Sequence, residues 1–266
     1  MKDRSRTRST SCRPCRARTS SRTERSRNPD RGRVRKRARP FHIGALGVIL
    51  KNGESPANFI TRVTGVIAPP LLPELRFHLA EETVALWSQT EEALEEQGLP
   101  PPFWAFAWAG GQALGRYCLD RPDIVSGKRV LDFAAGGSMA GIAAARAGAT
   151  AVTASEIDAF AIEAVTLNAA LNGCTVEPLL GDVTEMDRSW DVILAGDVFY
   201  EKGPAERIDR WLSAHHAKGA TVLIGDPGRS FLPADRLEKL AEYEVPVTRD
   251  LEDREVRHAK VWRYIA

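Results

Sequence analysis

The feature that most constrains this chain is an alternation of two hydrophobic periods that begins at Lys128. Short apolar runs at 129–133, 150–155, 176–180, 190–195 and 220–224 read as buried strands. Ala-rich or amphipathic stretches at 139–147, 159–171 and 204–216 read as helices between several of them. Parallel neighbours need a crossover connection, so strands alternating with helices predict a sheet built from βαβ units. The end of the chain breaks this rhythm. Runs at 243–248 and 259–265 read as strands joined by a charged turn at 249–257, with no helix between them. The predicted architecture is therefore α/β: seven strands, mostly parallel, closed by a C-terminal antiparallel pair, with helices on both faces.

Upstream of the sheet the chain divides in two. Residues 1–55 read as a disordered basic arm, and 56–266 as one folded domain that opens with a helical extension over 56–127. The first 40 residues hold 16 Lys and Arg against three acids, while the other 226 carry 21 basic and 32 acidic groups. The formal net charge of +2 thus hides an arm at +13 and a body at −11. The arm has too few apolar groups to offset the entropy of ordering. It is a nucleic-acid tail, a transit segment, or sequence upstream of the true start, and none of its residues before Phe41 is an aromatic that could stack on bases. Cys12 and Cys15 lie inside it without a second ligand pair at finger spacing, so no metal is expected. The apolar stretch over 43–50 is interrupted by Gly44 and Gly47 and falls far short of the ~20 residues of a membrane span. Within the extension, Asn58 opens a short β-branched run, and Leu75, Leu79, Val84, Leu86, Trp87 and Leu94 recur at near-helical spacing over 71–97. Cys118 and Cys174 read as buried thiols in a reducing compartment.

Chemistry concentrates where strands end. Asp132 closes the first strand and leads into Phe133-Ala134-Ala135-Gly136-Gly137-Ser138, a run of small residues before a helix. Such a turn lets backbone approach a ligand, and a carboxylate there repels an anion and welcomes an ammonium. The first glycine of G-x-G-x-x-G is missing, which argues against a pyrophosphate-binding dinucleotide fold. Glu156 follows the second strand, where an acid can accept two hydrogen bonds from a ribose diol. Asp182 follows the third and could accept from an adenine amine; Asp197 follows the fourth, with Tyr200 three residues on. In open α/β sheets ligands lie beyond the carboxyl ends of the strands, so four acids there point to one site. Asp158, by contrast, reads as a helix N-cap. Trp104 and Trp108 either wall a bound ligand or sit in the core, with Trp108, beside Gly110-Gly111, the better candidate for the wall.

The stretch from about Pro101 to Ala266 resembles the class I, seven-stranded Rossmann-like methyltransferases that use S-adenosylmethionine. It is most similar to the family-16 protein lysine methyltransferases, above all those acting on the electron transfer flavoprotein beta subunit and their bacterial relatives. The matching segments are the 130–143 loop, Asn168-Ala169-Ala170-Leu171-Asn172-Gly173, the run from Phe103 to Gln112, Asp197-Val198-Phe199-Tyr200 in place of a D-x-x-Y motif, and Gly225-Asp226-Pro227-Gly228-Arg229. Ala134 and Ser138 stand where many relatives have Gly. The resemblance implies S-adenosylmethionine held by Trp108, Asp132, Ala134, Gly136, Ser138, Glu156, Ile157, Asp182, Val183 and Ala195. It implies Asp197 and Tyr200 as catalytic residues, and Phe199, Glu201 and Asp226 as contacts to a protein substrate, the electron transfer flavoprotein beta subunit. Methylation of ribosomal protein L11 or L7/L12 is the alternative within enzymes. A nucleotide-fold protein binding nucleic acid through the arm is the alternative outside them, and the acidic body argues against it because it would repel phosphate. The expected setting is a monomer in the bacterial cytoplasm with no membrane or nucleic-acid partner, or the mitochondrial matrix if the arm is a transit segment.

Overall fold

The computed structural model describes residues 53–80, 101–246 and 256–265. The cysteine pair of the arm, the expected helical run over 81–97 and the turn over 249–255 lie outside them. The β-branched run after Asn58 divides in two. Pro56–Val63 is a helix, α1, because Ser55 accepts a hydrogen bond from the amide of Asn58 at 3.2 Å and Pro56 sits in the first turn. Gly65–Ile67 is a short strand, β1, paired antiparallel with β2, Phe77–Leu79.

The expected helix over 71–97 is therefore corrected at its start: residues 77–79 form a strand, and the described residues of the 56–127 extension hold strand as well as helix. The apolar spacing there reflects burial on both sides, since Leu72, Leu75, Phe77 and Leu79 all pack into the main core. What holds the segment extended is a pair of asparagines on the neighbouring helix α4, Ala159–Leu171, and its C-terminal cap. Asn168 accepts from the amide of His78 at 2.8 Å; Asn172 accepts from the amide of Arg76 at 3.0 Å and donates to its carbonyl at 2.6 Å. Four helical residues advance about 6 Å and two strand residues about 6.6 Å, so the two spacings match.

The main sheet has seven strands: β3 Arg129–Phe133, β4 Ala151–Glu156, β5 Glu177–Leu180, β6 Val192–Gly196, β7 Thr221–Asp226, β8 Leu237–Pro246 and β9 Val256–Tyr264. Their order is β5-β4-β3-β6-β7-β9-β8, parallel from β5 to β7, with β9 antiparallel to both β7 and β8. β8 begins six residues before the expected 243, because Glu238, Lys239, Glu242 and Glu244 mask an edge strand with a charged outer face. Alternate residues face two layers. Val130, Val192, Leu194 and Leu223 pack with α2, Ala109–Asp120, with α3, Met139–Arg146, and with α4. Leu131, Phe133, Ile193, Ala195 and Ile224 pack with Ala205, Ile208 and Leu212 of α5, Lys202–Ala217. Strand order reverses between β3 and β6, so the crevice opens at their carboxyl ends. No helix among the described residues is long and apolar enough to cross a membrane.

One close approach positions α2 over this crevice. A Cβ on Gly225 would lie 2.1 Å from the carbonyl oxygen of Gly110, and one on Gly110 2.1 Å from that of Gly225. Helix and strand touch backbone to backbone. Gly225→Ala should therefore cost about 3 kcal/mol or more of stability in urea unfolding, because neither partner is a side chain that can give way. Gly111→Ala, where an added Cβ meets nothing within 4 Å, should be neutral or stabilise by up to about 1 kcal/mol.

Candidate active site

The loop after β3 is organised by two carboxylates. Oδ2 of Asp132 accepts from the Ser138 hydroxyl at 2.9 Å and the Gly141 amide at 2.8 Å, closing the turn onto the start of α3. Glu156, at the end of β4, accepts from the Gly136 amide at 2.7 Å and the Ile157 amide at 3.1 Å. From behind, Asn168 donates to the Gly137 carbonyl at 3.0 Å. Burial raises both carboxyls to about 7, although the hydrogen bonds they accept pull the other way. Ala134, Ser138 and Asp197 are the non-glycine residues at positive φ among those described, with φ of 49°, 61° and 56°. All three follow β3 or β6 at the crevice, and each such conformation costs on the order of 1 kcal/mol. The small residues in the loop thus answer a backbone demand that glycine would meet with less strain.

The other two strand-end acids are also engaged. Asp182 accepts from the amide and hydroxyl of Thr184 at 3.0 and 2.6 Å and pairs with Arg207. Burial would raise its carboxyl, but Thr184 and Arg207 outweigh burial and hold it below the ordinary range. Asp197 is 8% exposed. Its Oδ2 accepts from the Gly110 amide at 2.6 Å and the Gly111 amide at 3.3 Å, capping α2 from outside, and its Oδ1 accepts from Arg229 at 2.9 Å. Burial raises Asp197 to about 6 against the pull of Arg229.

Tyr200 is 58% exposed and its ring lies 6.4 Å from that of Phe103, which lies 6.0 Å from Trp108. Burial, followed by the neighbouring Glu201, pushes the Tyr200 phenol up. Trp108 is half-buried and donates its indole N–H to the Phe103 carbonyl at 2.9 Å, whereas Trp104 is in the core with Phe59 and Phe160. Asp158 caps α4 as expected, accepting from the Phe160 amide at 2.8 Å.

The crevice thus gathers Trp108, Asp132, Ala134, Gly136, Ser138, Glu156, Asp197 and Tyr200. Ile157 is open to solvent beside Glu156. Val183, Ala195 and Phe199 are instead packed into the core against α5, so the side chain of Phe199 does not line the crevice. Asp226 is fully buried: Oδ1 accepts from the amides of Gly228 and Arg229 at 2.6 and 2.7 Å, and Oδ2 has no hydrogen-bond partner. It forms the turn rather than its surface. Glu201 is exposed at the start of α5. Three participants carry no role in the sequence reading: Arg229, the Gly110 and Gly111 amides, and Asn168. Each belongs to a segment singled out there, but a run of letters does not reveal which segments meet. Among the described residues no group of three His, Cys, Asp or Glu could hold a metal ion.

The chain is similar in sequence to known methyltransferases. The family model described as ribosomal protein L11 methyltransferase (PrmA) matches residues 112–197. A Danio rerio protein named electron transfer flavoprotein beta subunit lysine methyltransferase is 35% identical over 218 residues, covering 78% of this chain and 82% of its own. Its namesake in Xenopus laevis is 37% identical over 219 residues, covering 79% and 87%. The Homo sapiens protein of that name is 34% identical over 201 residues, covering 73% and 76%.

The raised carboxyls make a pH signature. Unfolded carboxyls titrate near ~4, so between there and about 7 the folded chain keeps protons on Asp132 and Glu156 that the unfolded chain has released. Their contribution to stability therefore falls as pH rises through that window. His78 and His215, held low by burial, act in the opposite sense as pH drops. Asp132→Asn isolates one acid: relative to the wild type, its Tm should rise between pH 6 and pH 8. Calorimetry showing the same difference at both pH values would mean that Asp132 is equally ionised at each.

Proposed function

The chain belongs to the electron transfer flavoprotein beta subunit lysine methyltransferase family, and from that premise we propose that its substrate is the lysine side chains of an electron transfer flavoprotein beta subunit. It is an S-adenosylmethionine-dependent protein-lysine methyltransferase. The donor set fits that cofactor. Asp132 is buried yet no described residue donates to its Oδ1, so the carboxylate can take the ammonium of the methionine portion. Glu156 would hold the ribose while keeping the Gly136 amide, and an adenine amine would share Asp182 with Thr184 or replace Arg207 there. When bound, the cofactor supplies a sulfonium methyl as electrophile.

The chain's own task is then alignment. A lysine nitrogen must lose its proton to water and be held in line with the methyl in a partly dry crevice, which needs positioning more than acid or base. Tyr200 offers an exposed phenol oxygen for this, and Asp197 a buried carboxylate whose negative charge favours a cationic side chain at the mouth.

The observation that carries this reading is that three segments, 103–111, 197–200 and 225–229, meet across from the Asp132–Glu156 wall through Asp197. The PrmA match stops at 197 and starts at 112, so it spans neither the first segment nor the last. That same match favours the second reading, methylation of ribosomal protein L11 or L7/L12.

Mass spectrometry of purified electron transfer flavoprotein and of L11 and L7/L12, each incubated with the full chain and labelled cofactor, separates the two. Label on lysines of the flavoprotein beta subunit is expected; label on the ribosomal proteins alone would reverse the order. In the same assay Tyr200→Phe should cut single-turnover methylation by roughly ten- to a hundredfold, with Tm and cofactor affinity unchanged because the ring is exposed. Full activity of that variant would remove the phenol from the mechanism.

A further inference from the structure

Arg229 occupies the place a substrate amine would need. Its guanidinium donates to Oδ1 of Asp197 at 2.9 Å and lies 5.8 Å from the centroid of the Trp108 ring. The other Asp197 oxygen is held by the Gly110 and Gly111 amides, so no edge of this buried carboxylate is left for a lysine while Arg229 stays. Beyond Trp108 the rings of Phe103 and Tyr200 continue the rim, both on the exposed side of the crevice. A carboxylate at the back with aromatic faces in front is a seat for a cation, and it accepts an ammonium as well as a guanidinium.

The backbone beneath Arg229 is held by the turn, and its side chain lies between Asp197 and Trp108. Asp226 holds the amides of Gly228 and Arg229, anchoring the turn to the end of β7. The Arg229 side chain is 22% exposed against 8% for Asp197, so of the two partners the cation is the one nearer to solvent.

We propose that Arg229 is the resident counter-ion of Asp197 and that the substrate's lysine ammonium takes its seat by exchanging one cation for another. The inference rests on reading the Asp197 crevice as the lysine site. Its physical reason is that a buried carboxylate stripped of its partner is strongly destabilising, whereas a swap of cations never leaves it alone. A neutral or acidic side chain cannot make the exchange, so the seat selects for cations. Because Arg229 competes for the same carboxylate, it lowers the affinity for an incoming amine by the factor that favours the closed form.

The test uses the full chain saturated with S-adenosylhomocysteine, so that no methyl can move, and butylammonium as a lysine side chain without its backbone. In the wild type, saturating butylammonium should shift the Arg229 Nε–H resonance. Arg229→Met should bind butylammonium at least about tenfold more tightly, at unchanged cofactor affinity, and Arg229→Lys, which keeps a cation, should stay within a few-fold of wild type. A purely structural Arg229 would give weaker or equal amine binding in the Met variant. That result, or a wild-type resonance that does not move on saturation, overturns the exchange while leaving the lysine site in place. If butylammonium binds neither protein, the lysine-site reading fails and the exchange with it. Should the Met variant not fold, the wild-type resonance decides.

Discussion

The site depends on one buried carboxylate. Asp197 joins three segments that are far apart in the chain: the first turn of α2, the end of β6 and the turn after β7. Each contact is worth a different amount. Capping the helix contributes about 1 kcal/mol, and breaking a buried ion pair such as that with Arg229 typically costs about 3–5 kcal/mol. Neither contact could form unless Gly110 and Gly225 let helix and strand meet at backbone distance, and unless Asp197 accepted a left-handed backbone. The mouth of the crevice, from Phe103 to Trp108, is thereby tied to the sheet by electrostatics, while Trp104, Ala105 and Phe106 anchor it by apolar packing against Phe59 and Phe160.

The cofactor side is organised by the same physics. Asp132 and Glu156 spend part of their hydrogen-bonding capacity on loop amides, which fixes a turn whose Ala134 and Ser138 are strained. Their ionisation is opposed by burial, so both are poised for a partner that brings positive charge or hydroxyl donors. Asn168 links this loop to β2, which makes the short N-terminal sheet a support for the site as well as a cover for the core.

Much of this was legible in the letters. Hydrophobic period separated strands from helices from Arg129 onward, and helix α4 matches the expected 159–171 at both ends, because Asp158 and Asn172-Gly173 are unambiguous caps. The four acids do stand at or just beyond the carboxyl ends of four parallel strands. The misreadings have physical causes. The segment around Phe77 looks helical because it is buried on both sides, and β8 starts early because an edge strand shows its charges. Phe199 looked available to a substrate, but period two turns it inward, under α5.

The sequence by itself determined the sheet, the end of it that carries chemistry, and the residue types that chemistry would use. These follow from local periodicity and from the rule that loops after parallel strands share one edge. Tertiary structure alone decided which group satisfies which. Asp197 could cap a helix, hold a lysine or pair with an arginine, and nothing near it in the chain chooses among these. The choice comes from Gly110 and Arg229, 87 and 32 residues away, because a buried charge takes whatever donors the fold brings within about 3 Å.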